Sequence, residues 1–363
     1  MKILEIIPQL SSGGAERFVV DLCNELSLNH EVVLVVFHSN NLFYKEEISN
    51  RVRTIILGKR WKYDYSLPIK LARLIKHESP DVVHTHLRAI VYSCLAILFY
   101  RNKYYFHTIH NTADKEASGR FSSLIRRLFF KKGLVVPITI SEESDRSFKD
   151  YYGIQARMIN NGRSIPNDLI VSDSVKNEVF TYKKHKDDRI LVCLARYTNV
   201  KRQDVLTRVA AKLYCEGLHF IVLLIGREDE EVLSRVKEVN CPVVYTLGER
   251  HNPLEYLKSA DAFCLCSLYE GLPISLIEAL GVGNVPVCTP VGGIINLVKD
   301  GYNGFLSKDT TEEEYYYCLK RFMSLSDSNL KEMKMHAIDS YAPYSMNTCA
   351  YNYLQMFEQT VQK

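Results

Sequence analysis

Short apolar segments of strand type alternate with amphipathic segments of helix type along most of this chain. The first half begins with a strand-like segment at residues 2–8 and a helical one at 16–28, and the same pattern restarts at residue 189. Such alternation predicts parallel sheets with helices on both faces, the doubly wound α/β architecture. Because 363 residues exceed one typical domain of about 100–200 residues, we predict two such domains.

A polar, irregular stretch separates the two halves. We expect an N-terminal domain at residues 1–165, a linker at 166–187, a second domain at 188–343 and a C-terminal helix at 344–363. The ten cysteines include no CxxC pair, and several stand in apolar runs, which favours reduced, packed thiols. The chain opens directly on a strand pattern, so we expect no signal peptide.

Residues 267–293, SLYEGLPISLIEALGVGNVPVCTPVGG, join a strand end, a loop and a helix. Pro273 suits the first position of a helix, where its missing N–H costs nothing. A helix beginning there directs unpaired N–H groups and the positive end of its dipole at the loop that carries Glu270, which suits an anion. Glu278 lies inside the same helix, so the two carboxylates could hold two parts of one long ligand.

Arg196 and Lys201 follow the strand-like segment at 189–195 and precede a helix. Two cations in this position would clamp a diphosphate and neutralise the charge that develops on a leaving group. In isolation an Arg and a Lys near a turn are usually solvated surface residues. Together with Glu270 and Glu278 they indicate a functional site.

These residues resemble the donor-binding signature of the retaining, nucleotide-sugar-dependent glycosyltransferases of family 4, which have the two-domain GT-B fold. The shared features are the Glu-x7-Glu spacing, the Arg-x4-Lys element, the Gly-x-Pro-Val type of strand at 283–287 and the Gly292-Gly293 turn. The early glycine turn at Gly13-Gly14 adds to the resemblance. The resemblance implies two doubly wound Rossmann-like domains that face each other across a cleft. It also implies that the helix at 344–363 crosses back to the N-terminal, acceptor-side domain.

The resemblance implies retaining transfer of a hexose from a nucleotide diphospho-sugar, with a UDP-sugar favoured, to a hydroxyl of a glycan. In such a site Arg196 and Lys201 stabilise the departing diphosphate, Glu270 holds sugar hydroxyls and Glu278 holds the ribose. No metal and no cofactor are implied, because GT-B enzymes do without a metal and the sequence has no Asp-x-Asp at a strand end. No dedicated base is implied either, because a phosphate oxygen of the donor takes the acceptor proton. The implied catalytic residues are His110, Arg196, Lys201 and Glu270, and the implied donor-binding residues are Gly14, Arg196, Lys201, Gly248, Arg250, Glu270, Gly271, Leu272, Pro273, Ile274 and Glu278.

Four histidines at two strand ends offer a different interpretation. His84, His86, His107 and His110 would also suit a metal-dependent hydrolase. The sequence places no carboxylate beside them in a ligand-like spacing, so we expect no metal. We interpret His110 as the catalytic-site residue by resemblance and the other three as structural.

Two departures from the family pattern leave a non-enzymatic alternative open. Arg202 stands where relatives have glycine, and Asn296 stands where they commonly have glutamate. A catalytically silent partner that binds a nucleotide sugar would tolerate both changes.

The net charge of +4 is unevenly distributed. Residues 1–166 contain 24 Lys and Arg against 16 Asp and Glu, a balance of +8, and the remainder balances at −4. The segment 120–133 contributes a basic amphipathic helix that suits either a membrane interface or an ordinary surface helix. Aromatic residues do not alternate with the basic ones, so we expect no nucleic-acid partner. The apolar face of this helix would hold Phe121, Leu124, Ile125 and Leu128, and its basic side Arg126, Arg127, Lys131 and Lys132.

The charge balance favours the membrane interpretation for this helix. The most apolar run, at residues 89–100, is too short to span a bilayer. We therefore expect a cytoplasmic enzyme that docks on the anionic inner face of the cytoplasmic membrane. A lipid-linked saccharide acceptor, as in bacterial surface-polysaccharide biosynthesis, would make this docking useful.

Overall fold

Residues 1–40, 42–59, 64–116, 119–166 and 168–362 are described by the computed structural model, in which each half of the chain builds one parallel sheet. One unit comprises Met1–Ser164 and Pro343–Lys363, and the other comprises Ile165–Ala342. The prediction of two doubly wound α/β domains is confirmed.

Among its described residues, the first unit contains seven strands and, before residue 164, seven α-helices. Its strands are β1 (Lys2–Ile7), β2 (Glu31–Val36), β3 (Val52–Ile56), β4 (Val82–His86), β5 (Tyr104–Ile109), β6 (Val136–Thr139) and β7 (Arg157–Met158). Its helices are α1 (Gly14–Leu26), α2 (Leu67–Glu78), α3 (Ala89–Tyr92), α4 (Cys94–Phe99), α5 (Ala113–Glu116), α6 (Arg120–Lys131) and α7 (Glu142–Tyr152). Ser141 caps α7 by accepting a hydrogen bond from the Ser144 N–H.

The second unit follows the same plan, and the chain then ends in a helix that belongs to the first unit. The strands are β8 (Arg189–Leu194), β9 (Phe220–Ile225), β10 (Val244–Gly248), β11 (Ala262–Leu265), β12 (Val285–Cys288) and β13 (Phe305–Leu306). The helices are α8 (Asp173–Tyr182), α9 (Gln203–Cys215), α10 (Glu230–Val239), α11 (Pro253–Lys258), α12 (Ile274–Val282), α13 (Ile294–Leu297), α14 (Glu312–Met323), α15 (Asp327–Tyr341) and the terminal α16 (Met346–Val361).

The strand order is the Rossmann order in both units. It is β3-β2-β1-β4-β5-β6-β7 in the first and β10-β9-β8-β11-β12-β13 in the second. In such a sheet the order reverses between two central strands, here β1 and β4 in the first unit and β8 and β11 in the second. Ligands of open α/β sheets bind beyond the carboxyl ends of these strands. A binding site is therefore expected at the loops after β1, β4, β8 and β11.

Fully buried strands supply the cores. Five of the six residues of β1 and all six of β9 are buried, and such near-continuous apolar runs are typical of parallel strands covered on both faces. In the first unit α16 packs on α1, and the Phe357 ring lies 4.6 Å from that of Phe106 in β5. All ten cysteines are free.

The segment 166–187, which we expected to be a linker, contains a helix. Only Val175 and Val179 of α8 are buried. One pair at i, i+4 spacing is too little periodicity to reveal a helix in a polar sequence. Elsewhere, helix α12 begins one residue later than expected, with Pro273 as its N-cap.

None of the helices within the described ranges has both the length and the apolar character needed to span a bilayer.

Candidate active site

The two loops at the switch point of the second sheet are bonded to each other. The Leu268 N–H after β11 donates to the Val200 carbonyl after β8 at 2.9 Å. Lys201 Nζ lies 2.5 Å from Glu270 Oε1, which also accepts a hydrogen bond of 2.6 Å from the Ser267 hydroxyl. Lys201 and Glu270, which the sequence separates by 69 residues, thus form one ion pair at the edge where ligands bind.

The Gly292-Gly293 turn packs directly on the backbone of the Glu270 loop. A Cβ at Gly292 would lie 1.8 Å from the Glu270 carbonyl oxygen, and one at Gly293 would lie 2.4 Å from that of Gly271. The Gly293 N–H donates to the Gly271 carbonyl at 2.6 Å. Only glycine permits this approach, so the turn fixes the position of Glu270.

Helix α12 begins immediately after this loop. The backbone N–H groups of Leu276 and Ile277 donate to the Pro273 carbonyl at 3.1 and 3.3 Å. The N–H groups that precede them at the start of the helix, together with the helix dipole, provide positive charge beside Glu270. Leu272, Pro273 and Ile274 form its buried entry. Glu278 is 5% exposed and occupies the fifth position of the helix.

Arg196 and Arg202 flank Lys201 and differ in their surroundings. Arg196 is exposed, and its guanidinium forms no ion pair with any residue that the structure describes. Arg202 has a φ of +55° and donates to the Thr310 carbonyl. A left-handed conformation favours glycine, which explains why glycine is usual here in the family that the sequence resembles.

Gly248 and Arg250 lie beyond the end of β10. Gly248 has a φ of +67°, and its carbonyl accepts a hydrogen bond of 2.9 Å from the Gly226 N–H. The Arg250 guanidinium lies 2.9 Å from Glu178 Oε1 and 3.1 Å from the Tyr256 hydroxyl. The structure thus places the Arg250 side chain against α8, the helix that the sequence analysis missed.

The histidines of the first unit surround a carboxylate that the sequence analysis did not assign to them. Glu5 in β1 is fully buried, and its Oε2 lies 2.9 Å from His84 Nδ1 and 2.8 Å from His86 Nε2. The fold thus brings a carboxylate to these histidines, although none stands beside them in the sequence in a ligand-like spacing. The reason is the sheet register, which pairs Glu5 with His84 across β1 and β4. Burial alone would raise the pKa of Glu5, but the two histidines lower it to about 2.

A second carboxylate holds the other end of the histidine cluster. Glu116 of α5 lies 3.1 Å from His107 Nε2 and 3.0 Å from Arg126 NH1, and it accepts the His110 backbone N–H at 2.6 Å. Burial would raise the pKa of Glu116, but the bond from His107 and the charge of Arg126 lower it to about 2. Burial also lowers the pKa of His107 to about 4, although Glu116 opposes the shift.

His110 is connected to the cluster through His86. His110 Nε2 lies 2.9 Å from His86 Nδ1, and the Phe18 ring packs edge-on against His110 with centroids 5.4 Å apart. Burial, followed by the influence of His86, holds the pKa of His110 well below its usual range. Burial and His84 likewise lower the pKa of His86 to about 4. Both rings are therefore neutral at physiological pH.

Glu5, His84 and His86 place three potential metal-ligand atoms within 4.8 Å of one another. Two ligands of a tetrahedral zinc ion, each about 2.0–2.1 Å from the metal, lie roughly 3.3 Å apart. The nitrogen–oxygen distances of 2.9 and 2.8 Å are shorter and are those of hydrogen bonds. The carboxylate and the two imidazoles thus bind each other.

The glycine turn after β1 accommodates a glutamate. Gly13 is the N-cap of α1 and Gly14 is its first, exposed residue. A Cβ at Gly13 would lie 2.3 Å from Glu16 Oε2, and Glu16 Oε1 accepts a hydrogen bond of 2.8 Å from the Ser11 hydroxyl. The position of the Glu16 side chain thus favours glycine at position 13, and the sequence alone does not reveal this contact.

Helix α6 does not separate apolar from basic residues as we expected. Arg126 is only 1% exposed, bonds to Glu116, and donates to the Leu87 carbonyl at 2.7 Å, while Phe129 and Phe130 are buried. The side chains of Arg120 and Phe121 lie outside the described residues. The exposed side chains of the segment combine both types, namely Leu124, Arg127, Leu128, Lys131 and Lys132.

Two family models together match most of the chain. The model described as Glycosyltransferase Family 4 matches residues 12–165, and that described as Glycosyl transferases group 1 matches residues 174–338.

Curated relatives match the chain over nearly its whole length. The Campylobacter jejuni GalNAc-alpha-(1->4)-GalNAc-alpha-(1->3)-diNAcBac-PP-undecaprenol alpha-1,4-N-acetyl-D-galactosaminyltransferase is 24% identical, with 92% of this chain and 91% of the relative covered. The Escherichia coli O-antigen biosynthesis glycosyltransferase WbnH is also 24% identical, with 93% and 96% covered. Among solved structures, Anabaena HepE in complex with UDP and glucose superimposes with a TM-score of 0.82 at 18% identity, covering 99% of each chain.

Proposed function

Because the chain belongs to the family 4 glycosyltransferases, which have the GT-B fold, we propose that it transfers a hexose from a nucleotide diphospho-sugar, with retention of anomeric configuration, to a hydroxyl of a lipid-linked saccharide. The observation that carries this proposal is the Lys201–Glu270 pair at the switch point of the second sheet, held in place by Gly292 and Gly293. This arrangement joins a cation for a phosphate to a carboxylate for hydroxyls at the edge where such sheets bind ligands.

In this proposal different side chains bind different parts of the donor. Lys201, the exposed Arg196 and the first-turn N–H groups of α12 stabilise the departing diphosphate, which is the main electrostatic contribution to the rate. Glu270 binds hydroxyls of the sugar, and Glu278 binds the ribose. UDP is the favoured nucleotide, because a solved structure with the same fold contains UDP and glucose.

No metal and no cofactor take part in the proposed reaction. The site supplies its positive charge from side chains and from the start of α12, and a phosphate oxygen of the donor accepts the proton of the attacking hydroxyl. His110, the catalytic-site residue of the first unit, contacts substrate hydroxyls.

The acceptor is assigned from relatives and from the surface of α6. A relative that covers most of the chain is named for a PP-undecaprenol-linked saccharide, and another is named for O-antigen biosynthesis. On the solvent side of α6, Leu124 and Leu128 are 65% and 49% exposed. They lie in the same segment as its exposed cations. Exposed leucines beside cations suit the interface of an anionic membrane, where a lipid-linked acceptor is located.

Donor binding is tested first by thermal stabilisation. UDP-, GDP- and dTDP-sugars are screened, because a ligand that binds only the native state raises Tm. The stabilising sugar is then incubated with a diphospho-undecaprenol-linked saccharide in vesicles, and the product linkage is determined by NMR. A linkage with the donor's anomeric configuration supports the proposal. Binding without transfer or hydrolysis would instead select the silent partner, and no binding of any nucleotide sugar would overturn both interpretations.

Membrane docking is tested with charge-matched variants. Changing Arg127, Lys131 and Lys132 to Gln removes about 1 kcal/mol per cation near the surface, so partitioning onto anionic vesicles at low salt should fall by roughly 100-fold. The control carries Lys176→Gln, Lys308→Gln and Lys331→Gln, three exposed cations of the second unit. Equal vesicle binding by the two triple variants would refute the docking surface.

A further inference from the structure

We propose that Glu5, acting through His86, is a positioning residue that keeps the imidazole proton of His110 on Nε2, so that His110 presents an unprotonated Nδ1 to a hydroxyl of the substrate. The inference rests on the proposed transferase function for its substrate. It concerns which nitrogen carries the proton, and this follows from the hydrogen-bonding capacity of each group.

The Glu5 carboxylate fixes the position of the His86 proton. An ionised carboxylate can only accept hydrogen bonds. Glu5 Oε2 lies 2.8 Å from His86 Nε2, and both residues are fully buried. His86 Nε2 must therefore carry a hydrogen and donate it to Glu5.

The proton of His86 decides the direction of the next bond. A neutral imidazole carries one N–H, so Nδ1 of His86 is an acceptor. His110 Nε2 lies 2.9 Å from that nitrogen. A hydrogen bond at this distance needs a donor, and only His110 can supply it. The His110 proton is therefore on Nε2.

The remaining nitrogen of His110 is left for a ligand. A neutral His110 with its hydrogen on Nε2 has a bare Nδ1, and no hydrogen bond reaches this atom from the described part of the chain. His110 is also partly exposed, unlike His84, His86 and His107. A bare ring nitrogen attracts an O–H donor and repels an anionic phosphate oxygen. The ligand group that fits is thus a sugar hydroxyl.

The other branch of the network leads away from His110. His84 also donates to Glu5 through Nδ1, and its Nε2 lies 2.8 Å from the Thr108 hydroxyl, which lies 2.9 Å from the Tyr353 hydroxyl. None of these groups contacts His110, so Tyr353 provides a matched control in the same buried network.

The tautomer is measured directly in the full-length protein labelled with ¹⁵N-histidine. Long-range ¹H–¹⁵N spectra distinguish Nε2–H from Nδ1–H imidazoles, and a His110→Gln variant assigns the His110 signals. We expect a single Nε2–H tautomer for both His86 and His110 in the wild type and in Tyr353→Phe. A wild-type His110 with its hydrogen on Nδ1 would overturn the inference without reference to any activity.

The role of Glu5 is tested with Glu5→Gln, which keeps the side-chain shape but replaces one acceptor oxygen by an N–H donor. We expect His110 to lose its single tautomer and the transfer rate to fall at least about tenfold, since a wrong histidine tautomer impairs catalysis strongly. The Tm increase produced by UDP, whose proposed site is in the second unit, should stay unchanged. A folded Glu5→Gln protein with the wild-type tautomer and rate would refute the role of Glu5.

The two proposals fail in distinguishable ways. If the wild type transfers no sugar but shows the Nε2–H tautomer at His110, the transferase function fails and the proton assignment stands. If transfer occurs and the tautomer is wrong, only the present inference fails.

Discussion

Replacing Gly292 by alanine should disable the donor site while leaving the fold in place. The new Cβ would lie 1.8 Å from the Glu270 carbonyl oxygen, whereas real Cβ contacts essentially never fall below 3.0 Å. The Glu270 loop must therefore move by about 1.2 Å or more. The φ of +53° at Gly292 adds strain of roughly 1–2 kcal/mol for a residue with a side chain.

The displacement of the Glu270 loop should lower activity, and the backbone strain at Gly292 should lower stability. Displacing a positioning residue by about 1 Å lowers activity by roughly 100-fold, so kcat/KM for the donor should fall to about one hundredth. The backbone strain should lower the free energy of unfolding by no more than a few kcal/mol. The assay pairs steady-state kinetics at several donor concentrations with urea unfolding of the same samples.

Alanine substitutions at two other glycines distinguish the effect of the steric contact from the effect of the backbone strain. Gly293→Ala meets the Gly271 carbonyl at 2.4 Å without a positive φ, so it should lose activity with little strain. Gly301→Ala has a φ of +76° and nothing within 4 Å, so it should lose stability only. If Gly292→Ala and Gly293→Ala both retain turnover within about threefold of wild type while remaining folded, the position of the Glu270 loop does not matter to the reaction.

Four other changes test separate parts of the molecule. Lys201→Ala should lower turnover by about 100-fold or more, because the leaving diphosphate loses a preorganised charge; near-normal steady-state kinetics with the true donor would contradict this role. EDTA should leave transfer rates unchanged, and a loss that zinc restores would instead support a hydrolase built on the histidine cluster. Urea unfolding should show stability falling as the pH drops from 6.5 towards 4, since His86 and His107 stay neutral in the folded state until a pKa of about 4 whereas the unfolded chain takes up protons near 6.5. Each should contribute roughly 1.4 kcal/mol per pH unit in that window, and a His107→Gln protein with the wild-type slope would refute the assignment. Arg126→Gln should lower the free energy of unfolding by about 3–5 kcal/mol, because it removes the cation that balances the buried Glu116 carboxylate, whereas the exposed Arg127→Gln should change it by less than about 1 kcal/mol.

The parts of the site that the sequence predicted are those that follow from sheet topology. Arg196 and Lys201 lie in the loop after one apolar strand-like run and Glu270 lies in the loop after another, and the carboxyl ends of parallel strands meet at one edge. Their association could therefore be expected from strand ends alone, without knowing the contacts. The Lys201–Glu270 pair confirms that these two residues lie together.

The parts that the sequence did not predict depend on register. Glu5 lies within the apolar strand β1, where a single carboxylate gives no local signal of a partner. It meets His84 only because β1 and β4 pair with Glu5 opposite His84, 79 residues apart. Gly13 is a similar case, since the side chain that needs its space, Glu16, becomes evident only when the turn is folded.

Helix α6 shows why charge pattern alone misplaces a residue. The charge pattern places Arg126 and Arg127 together on the basic side of the predicted helix. A buried Arg is nevertheless stable where a carboxylate and a carbonyl bind its guanidinium. Glu116 and the Leu87 carbonyl do so here, and both come from other elements. Removing Arg126 from the surface leaves Arg127, Lys131 and Lys132 next to exposed leucines. The proposed membrane surface is therefore smaller and more apolar than the sequence indicated, so its vesicle affinity should retain a component that high salt does not abolish, because salt screens the charges but not the buried apolar area.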